Sequence, residues 1–254
     1  MNYHTLADKM KQAYDPIAER YRLDDERDAM GNDHRRICST LSRISSSFAR
    51  PITVLDVGCG TGRYFHCLKN VQTLTGIDVS EAMLQQARCP VKATEITIQE
   101  INLFSANIYT ATFSPESFDL IYAIGVFGNG CAPTIELCNK FYDWLAPQGV
   151  LFFDLFDTSG LPVLTKCRKH IRNFIYSMVP CALQEAWDKR TGWLPFHMAT
   201  QAGVSKLFTK TRFKEFSVKS TPSQLTLGAG AKLECIAVKE NRTVDLNKYS
   251  LVAA

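Results

Sequence analysis

Apolar residues recur along this chain with two periods, and the change from one to the other divides it. Through the first fifty residues the spacing is helical. Residues 3–14 can form one helix, which Asp15-Pro16 halts because proline drives the residue before it out of the helical region. Residues 17–21 restart it. Asp33 is placed to cap a basic amphipathic run in which Ile37, Leu41 and Ile44 fall on one face, and Arg50-Pro51 closes the region. From there short apolar runs alternate with helical patterns, the arrangement of a parallel sheet with crossover helices. The pattern places strands near 53–57, 73–78, 96–101, 119–124 and 149–156, and helices over 62–70, 80–88 and 134–145. Ser80-Glu81 suits a helix start, since the hydroxyl caps and the acid complements the dipole.

The last quarter alternates with period two. Residues 213–219 and 233–239 read as half-exposed strands, with Gly228-Ala229-Gly230 as a turn signal between them. Before them, residues 158–203 are longer than a crossover needs and carry Phe174, Tyr176, Trp187, Trp193, Phe196, His170 and His197. An aromatic-rich insertion over the carboxyl ends of strands suits a substrate lid. The expected division is a helical cap over 1–50, a core over 51–157, the lid over 158–203, and a C-terminal helix with antiparallel strands over 204–240, all within one domain, 1–254. The tail after Glu240 carries no motif.

Composition narrows the class. A chain of 254 residues can bury a sizeable core, and its net charge of +4, from 29 basic and 25 acidic residues, is too small and scattered for a nucleic-acid surface. Nine cysteines occur without a C-x-x-C pair or a signal-like N-terminus, so reduced thiols in a cytoplasmic protein are expected, with no disulfide or metal framework. No apolar run approaches a membrane span.

The chemistry concentrates in Val54-Leu55-Asp56-Val57-Gly58-Cys59-Gly60-Thr61-Gly62, followed by Leu74-Thr75-Gly76-Ile77-Asp78. These describe a strand, a glycine turn opening a helix, and a second strand ending in a carboxylate, a scaffold for an adenosine cofactor. An ionised Asp78 only accepts hydrogen bonds and could take both ribose hydroxyls. A dinucleotide site needs G-x-G-x-x-G, but the third position here is Arg63. The pattern is instead Asp-x-Gly-x-Gly-x-Gly, and a carboxylate at Asp56 would repel a pyrophosphate while suiting an ammonium and a sulfonium.

The first segment resembles motif I of the class I S-adenosylmethionine-dependent methyltransferases, and Gly76-Ile77-Asp78-Val79-Ser80 resembles their motif II. Phe118 to Gly125 resembles motif IV, and Leu145-Ala146-Pro147-Gln148-Gly149-Val150-Leu151 resembles the turn and fifth strand that follow. The resemblance implies an α/β, Rossmann-like, seven-stranded, mostly parallel sheet whose antiparallel last strand inserts beside the fifth. Helices would cover both faces, with an N-terminal helical cap and a lid inserted before strand 6. It implies S-adenosyl-L-methionine as cofactor and S-adenosyl-L-homocysteine as product. Asp56, Gly58, Cys59, Gly60 and Gly62 would cradle the methionine part, and Asp78 with Val79 would hold the ribose. Either Glu100 or Asn102 would read adenine, and Ala123, Ile124 and Gly125 would contribute backbone contacts. Tyr14 and Tyr21 would cover the cofactor, whereas Asp119, at the opposite strand end, would be structural.

A methyl group on a sulfonium is already activated, so transfer is governed by placement and desolvation. The expected partner is a small-molecule acceptor at nitrogen or oxygen. His197 is the candidate base, because it titrates near neutrality within the lid, and Asn129 is a second candidate after the fourth strand, although Asn-Gly is also a turn pair. His66 is read as structural. Cys131 lacks a preceding proline, and no Asp/Asn-Pro-Pro-aromatic motif occurs, which argues against nucleic-acid substrates. A peptide or protein methyltransferase with a wider groove, and a non-catalytic cofactor-binding module, remain alternatives. The acceptor and the oligomeric state stay open.

Overall fold

The computed structural model describes residues 3–27, 31–128, 130–180, 183, 194, 196–197, 199–223 and 230–239. Asn129, Trp187, Trp193, the Gly228-Ala229 turn and the tail after Glu240 lie outside them. Its frame is a seven-stranded sheet in the order β3-β2-β1-β4-β5-β7-β6. In chain order the strands are β1 (Ile52–Val57), β2 (Val71–Asp78), β3 (Glu100–Ser105), β4 (Phe118–Ala123), β5 (Leu145–Phe156), β6 (Glu215–Pro222) and β7 (Ala231–Val238). The first five run parallel. Strand β7 is antiparallel to both its neighbours, β5 and β6, and so inserts beside the fifth as the resemblance implied.

Period two divides the core between the faces of the sheet. Leu55, Val57, Ile121, Ala123, Leu151 and Phe153 point to one face, against helices α1 (Tyr3–Tyr14), α5 (Ile135–Trp144) and the helix Gln201–Phe208, here α7. Val54, Leu120, Tyr122, Val150 and Phe152 point to the other, against α3 (Gly31–Ser46) and α4 (Glu81–Ala87). Strand β4 is buried at every position, as expected of a parallel strand covered on both sides. Ser80 and Thr134 cap α4 and α5, accepting from the amides of Met83 and Leu137 at 3.1 Å each. The chain restarts after Pro16 through the 3-10 turn Asp15–Ile17 into α2 (Ala18–Glu26).

Four local expectations need correction. Strand β3 begins at Glu100, four residues later than its pattern suggested, because pairing with β2 starts at Thr73↔Glu100. A slip of four leaves every side chain on the same face, so periodicity cannot detect it. The segment 62–70 forms no α-helix, only the 3-10 turn Phe65–Cys67. The glycine loop takes the first residues of this short connection, too few remaining to build a helix and still return along a strand of roughly 20 Å. Asp33 is no N-cap. The helix starts two residues earlier, and the buried Asp33 accepts from Arg36 Nη1 at 2.9 Å and Ser223 Oγ at 2.8 Å, tying α3 to the end of β6. Finally, Cys38 and Cys67 form a disulfide, with Cα atoms 4.9 Å apart. Their separation of 29 residues carries no recognisable spacing; α3 simply crosses the turn that replaces the helix.

Asp119 has the structural role expected of it. Its carboxylate accepts from Arg50 Nη1 and Nη2 at 3.0 and 2.6 Å and from the Thr53 amide at 2.9 Å, fixing the entry to β1. Asp119→Ala leaves that amide without its acceptor, and unfolding in urea should show a loss of about 1–3 kcal/mol. An unchanged midpoint would mean that water replaces the carboxylate.

Candidate active site

The carboxyl ends of β1, β2 and β4 open into a cavity of about 690 Å³, closed on one side by α1 and α2. Its floor is the loop after β1. The amides of Gly58 and Cys59 both donate to the carbonyl of Ile77, at 2.7 and 3.0 Å, which folds the loop over the end of β2. Gly58 has φ +66°, and a Cβ there would meet Val126 Cγ2 at 2.5 Å. Gly60, at φ +54°, faces open space, so backbone geometry alone explains that glycine. Gly62 packs on the Phe65 ring and does not line the cavity.

Two carboxylates stand in this floor. Asp56 ends β1, is 3% exposed and accepts from the Tyr122 hydroxyl at 2.7 Å. Burial pushes its pKa up to about 8, with the charge of Asp78 adding to the rise and the Tyr122 hydrogen bond opposing it. Asp78 ends β2. Its Oδ2 accepts from the Gly60 amide at 3.0 Å and its Oδ1 from the Ser80 amide at 2.9 Å. Burial raises its pKa as well, against those hydrogen bonds. A carboxylate has about four lone-pair sites, and the Val79 amide also contributes a hydrogen bond to Asp78, so part of its accepting capacity remains for a ligand. Val79, Ile124 and Gly125 complete this part of the lining, whereas Ala123 is buried beneath it.

The cap is bonded to the floor at two points. Asp25, at the end of α2, accepts from the Thr61 hydroxyl and from Arg63 Nε, and Ser80 Oγ donates to Asp15 Oδ1 at 2.5 Å. Tyr14 and Tyr21 both line the cavity, their rings edge to face with centroids 6.0 Å apart. Burial holds both phenols in the protonated form.

Other expected residues stand elsewhere. Glu100 and Asn102 lie early in β3, level with Thr73 and Thr75, away from the cavity, and are bonded to each other at 3.0 Å. The late start of β3 puts its end at Ser105 beside Asp78, so Ala106, Asn107, Ile108 and Tyr109 reach the cavity instead. His197 is not part of the lining. Its Nε2–H donates to the Gly130 carbonyl at 3.2 Å, its amide donates to Gly128, and burial lowers its pKa. A histidine bonded in this way is a strut for the loop after β4. Cys131 does line the cavity, but burial pushes its thiol up to about 11, leaving no thiolate to attack a substrate.

Sequence reasoning missed Lys232. On β7 it lies opposite Phe156, lines the cavity at 3% exposure, and forms an ion pair with buried Asp154. Asp154 also accepts from the Gly125 amide at 2.6 Å, tying the pair to the loop after β4. The available signal was the pair Lys232 and Glu234 in a strand inserted between two others, where charges require partners.

The profile of the family described as "Methyltransferase domain" matches residues 54–149. A malonyl-[acyl-carrier protein] O-methyltransferase of Halalkalibacterium halodurans is 33% identical over 109 residues, 42% of this chain and 40% of that protein. The enzyme of the same name from Priestia megaterium is 27% identical over 138 residues, 52% of this chain and 47% of that protein. The chain thus matches less than half the length of either relative. Among solved structures, a possible histamine N-methyltransferase of Thermotoga maritima superposes with a TM-score of 0.56 at 17% identity, covering 91% of this chain and all of that one. Magnesium protoporphyrin IX methyltransferase of Synechocystis PCC 6803, with bound S-adenosylhomocysteine, gives 0.54 at 15% identity, covering 85% of this chain and 86% of that one.

Residues 54–149 thus match a methyltransferase domain, and the chain as a whole has the fold of these solved structures. The glycine loop is followed only by the 3-10 turn Phe65–Cys67, not by the helix expected over 62–70. No helix among the described residues is long and apolar enough to cross a membrane.

Asp56 makes the ligand-free protein sensitive to pH. Below pH about 4 both folded and unfolded chains hold the proton; between about 4 and 8 only the folded protein keeps it. Stability therefore falls as pH rises through that window and levels off above it. Relative to Asp56→Asn, the wild type should lose up to about 1.4 kcal/mol per pH unit in denaturant titrations between pH 5 and 7. Parallel pH profiles would contradict the raised pKa.

Proposed function

We propose that this protein is a methyltransferase, binding S-adenosylmethionine in the cavity and transferring its methyl group to a nitrogen or oxygen atom of a small molecule. The observation that carries the reading is the pair of acids at adjacent strand ends, Asp56 buried and Asp78 half-buried. The main influences on both are burial, hydrogen-bond donors and other acids, not a protein cation. A cationic ligand bearing a diol fits that donor set. Asp56 and the amides of the glycine loop would hold the methionine part, Asp78 the ribose hydroxyls, and the segment from Ala106 to Tyr109 the adenine side. When bound, the cofactor supplies a methyl group activated by its sulfonium.

The residues of the chain then have two tasks, to exclude water and to hold the acceptor in line. Tyr14 and Tyr21 supply apolar cover from the cap. Helix α6 (Val163–Met178) starts the 158–203 insertion, with Val163, Leu164 and Phe174 exposed, and is joined to α1 through a hydrogen bond from Lys9 to the Tyr176 hydroxyl. That placement supports the lid reading within a chain organised as cap, core, lid and closing strands. Among the described residues lining the cavity there is no histidine, so the arrangement favours an acceptor that arrives unprotonated, such as a carboxylate or a neutral amine. A cavity of about 690 Å³ lies within the range of small-molecule sites, roughly 300–1,000 Å³, and this favours a small acceptor over a peptide chain.

Isothermal titration with S-adenosylmethionine and S-adenosylhomocysteine tests the cofactor site. Asp78→Ala removes hydrogen bonds to a charged group, each about 1.5–3 kcal/mol, so Kd should rise about 10- to 100-fold or more while circular dichroism stays the same. Failure of the wild type to bind, or unchanged binding by the variant, would overturn the reading. Methyl transfer to a panel of carboxylates and amines would then exclude a purely regulatory binding module.

A further inference from the structure

Helix α3 runs past the turn Phe65–Cys67, and four side chains meet where they cross. His34 and Cys38 are four apart and share one face of the helix; His66 and Cys67 are consecutive in the turn. Their imidazole nitrogens and sulfurs all lie within 4.8 Å of one another. Cys38 Sγ is 3.4 Å from His34 Nε2 and 4.0 Å from His66 Nε2, and Cys67 Sγ is 3.5 Å from His66 Nε2. The two rings stack with centroids 5.5 Å apart.

A disulfide accounts for two of these residues and gives no reason for the other two. A tetrahedral zinc site accounts for all four. Zinc takes sulfur at about 2.3 Å and imidazole nitrogen at about 2.0–2.1 Å, which sets neighbouring sulfur and nitrogen ligands about 3.5 Å apart, close to the distances here. Two thiolates and two imidazoles also form a donor set suited to zinc over hard cations. We propose that in the reduced protein His34, Cys38, His66 and Cys67 bind one Zn²⁺ ion, and that the disulfide is the oxidised, metal-free form of the same site.

The conversion balances. Two molecules of a small thiol reduce the S–S bond, giving two cysteine thiols and the disulfide of the reductant. Zinc then displaces two thiol protons, leaving a neutral centre with two thiolates and two imidazoles. Rotation of the cysteine side chains brings the sulfurs to the about 3.8 Å that two thiolate ligands of a tetrahedral zinc require. His66 and Cys67 are buried, whereas His34 and Cys38 are half-buried, which gives an ion access from the α3 side. The site joins the cap to the connection that lacks its helix. It lies one ring from the cavity, because His34 stacks on Tyr64 at 5.4 Å and Tyr64 lines the cavity.

The test uses the full chain, reduced with a thiol and titrated with Co²⁺ as a spectroscopic substitute for zinc. One equivalent should give the intense visible bands of a tetrahedral site with thiolate-to-cobalt charge transfer, and zinc should displace it. Chain oxidised to the Cys38–Cys67 disulfide should bind none. His34→Ala and His66→Ala, which keep both cysteines, should weaken binding by more than the about 10- to 100-fold that loss of an outer-shell partner costs. No tetrahedral spectrum from the reduced wild type, or the same spectrum and affinity in both histidine variants, would overturn the proposal. The wild-type titration alone decides if a variant fails to fold.

Discussion

Two acids, one buried and one half-buried, that the protein holds without a cationic partner are the constraint around which the rest is arranged. Asp56 and Asp78 end neighbouring parallel strands whose register sets Asp56 beside Gly76, so both acids emerge at the same edge. Ionised carboxylates in such a place need hydrogen-bond donors. Those donors are a tyrosine hydroxyl from β4 and backbone amides from the glycine loop and the start of α4. The loop must therefore turn with positive φ to aim its amides, and it must be glycine at Gly58, where Val126 leaves no room for a Cβ. Burial keeps Asp56 on the protonated side at neutral pH. A cationic ligand would reverse that preference, since an opposite charge within a few ångströms favours the ionised form.

The same loop explains why the N-terminal helices belong to the site. In this fold a helix normally follows the glycine turn and buttresses it, with its N-terminal amides near the ligand. Here a single 3-10 turn follows, and it cannot supply that support alone. The support comes from elsewhere in the chain. Asp25 of α2 holds Thr61 and Arg63, Asp15 holds Ser80, and α3 is joined to the turn through Cys38 and Cys67. The cap thus both covers the cavity and braces its floor.

Much of this was legible in the residues, and the part that was not has a common physical cause. Side-chain period and glycine spacing are local signals, and they located five of the seven strands closely, the end but not the start of β5 (Leu145–Phe156), both carboxylates and the approach of Tyr14 to Tyr21. Where the outcome depended on pairing between distant segments, local signals failed. Strand β3 kept its faces but slid by four residues, which moved Glu100 and Asn102 away from the cavity and brought the segment from Ala106 to Tyr109 to it. Lys232 reaches Asp154 only because β7 inserts beside β5. Cys38 reaches Cys67 only because α3 crosses a shortened connection. His197 was placed in the right neighbourhood, yet it does not line the cavity, and its Nε2–H is held by the Gly130 carbonyl.

The two halves of the cavity are encoded differently, and this bears on how its specificity is set. The carboxylate half comes almost entirely from one stretch, Asp56 to Met83, rigidly fixed by three paired strands and a capped helix. The other half draws on Met10 and Leu6 from the cap, Tyr109, Val126 and Cys131 from loops, and Phe156 and Lys232 from β5 and β7. These segments are held by side chains: the Tyr109 hydroxyl donates to the Ala132 carbonyl and accepts from its amide, and Asp154 accepts from the Gly125 amide and pairs with Lys232. Under the proposed function, the cofactor half is therefore constrained by backbone geometry while the acceptor half is open to side-chain variation. A fold divided in this way can keep one cofactor and exchange acceptors. Under the same reading, that is the physical reason the glycine loop points to a cofactor but says nothing about the acceptor.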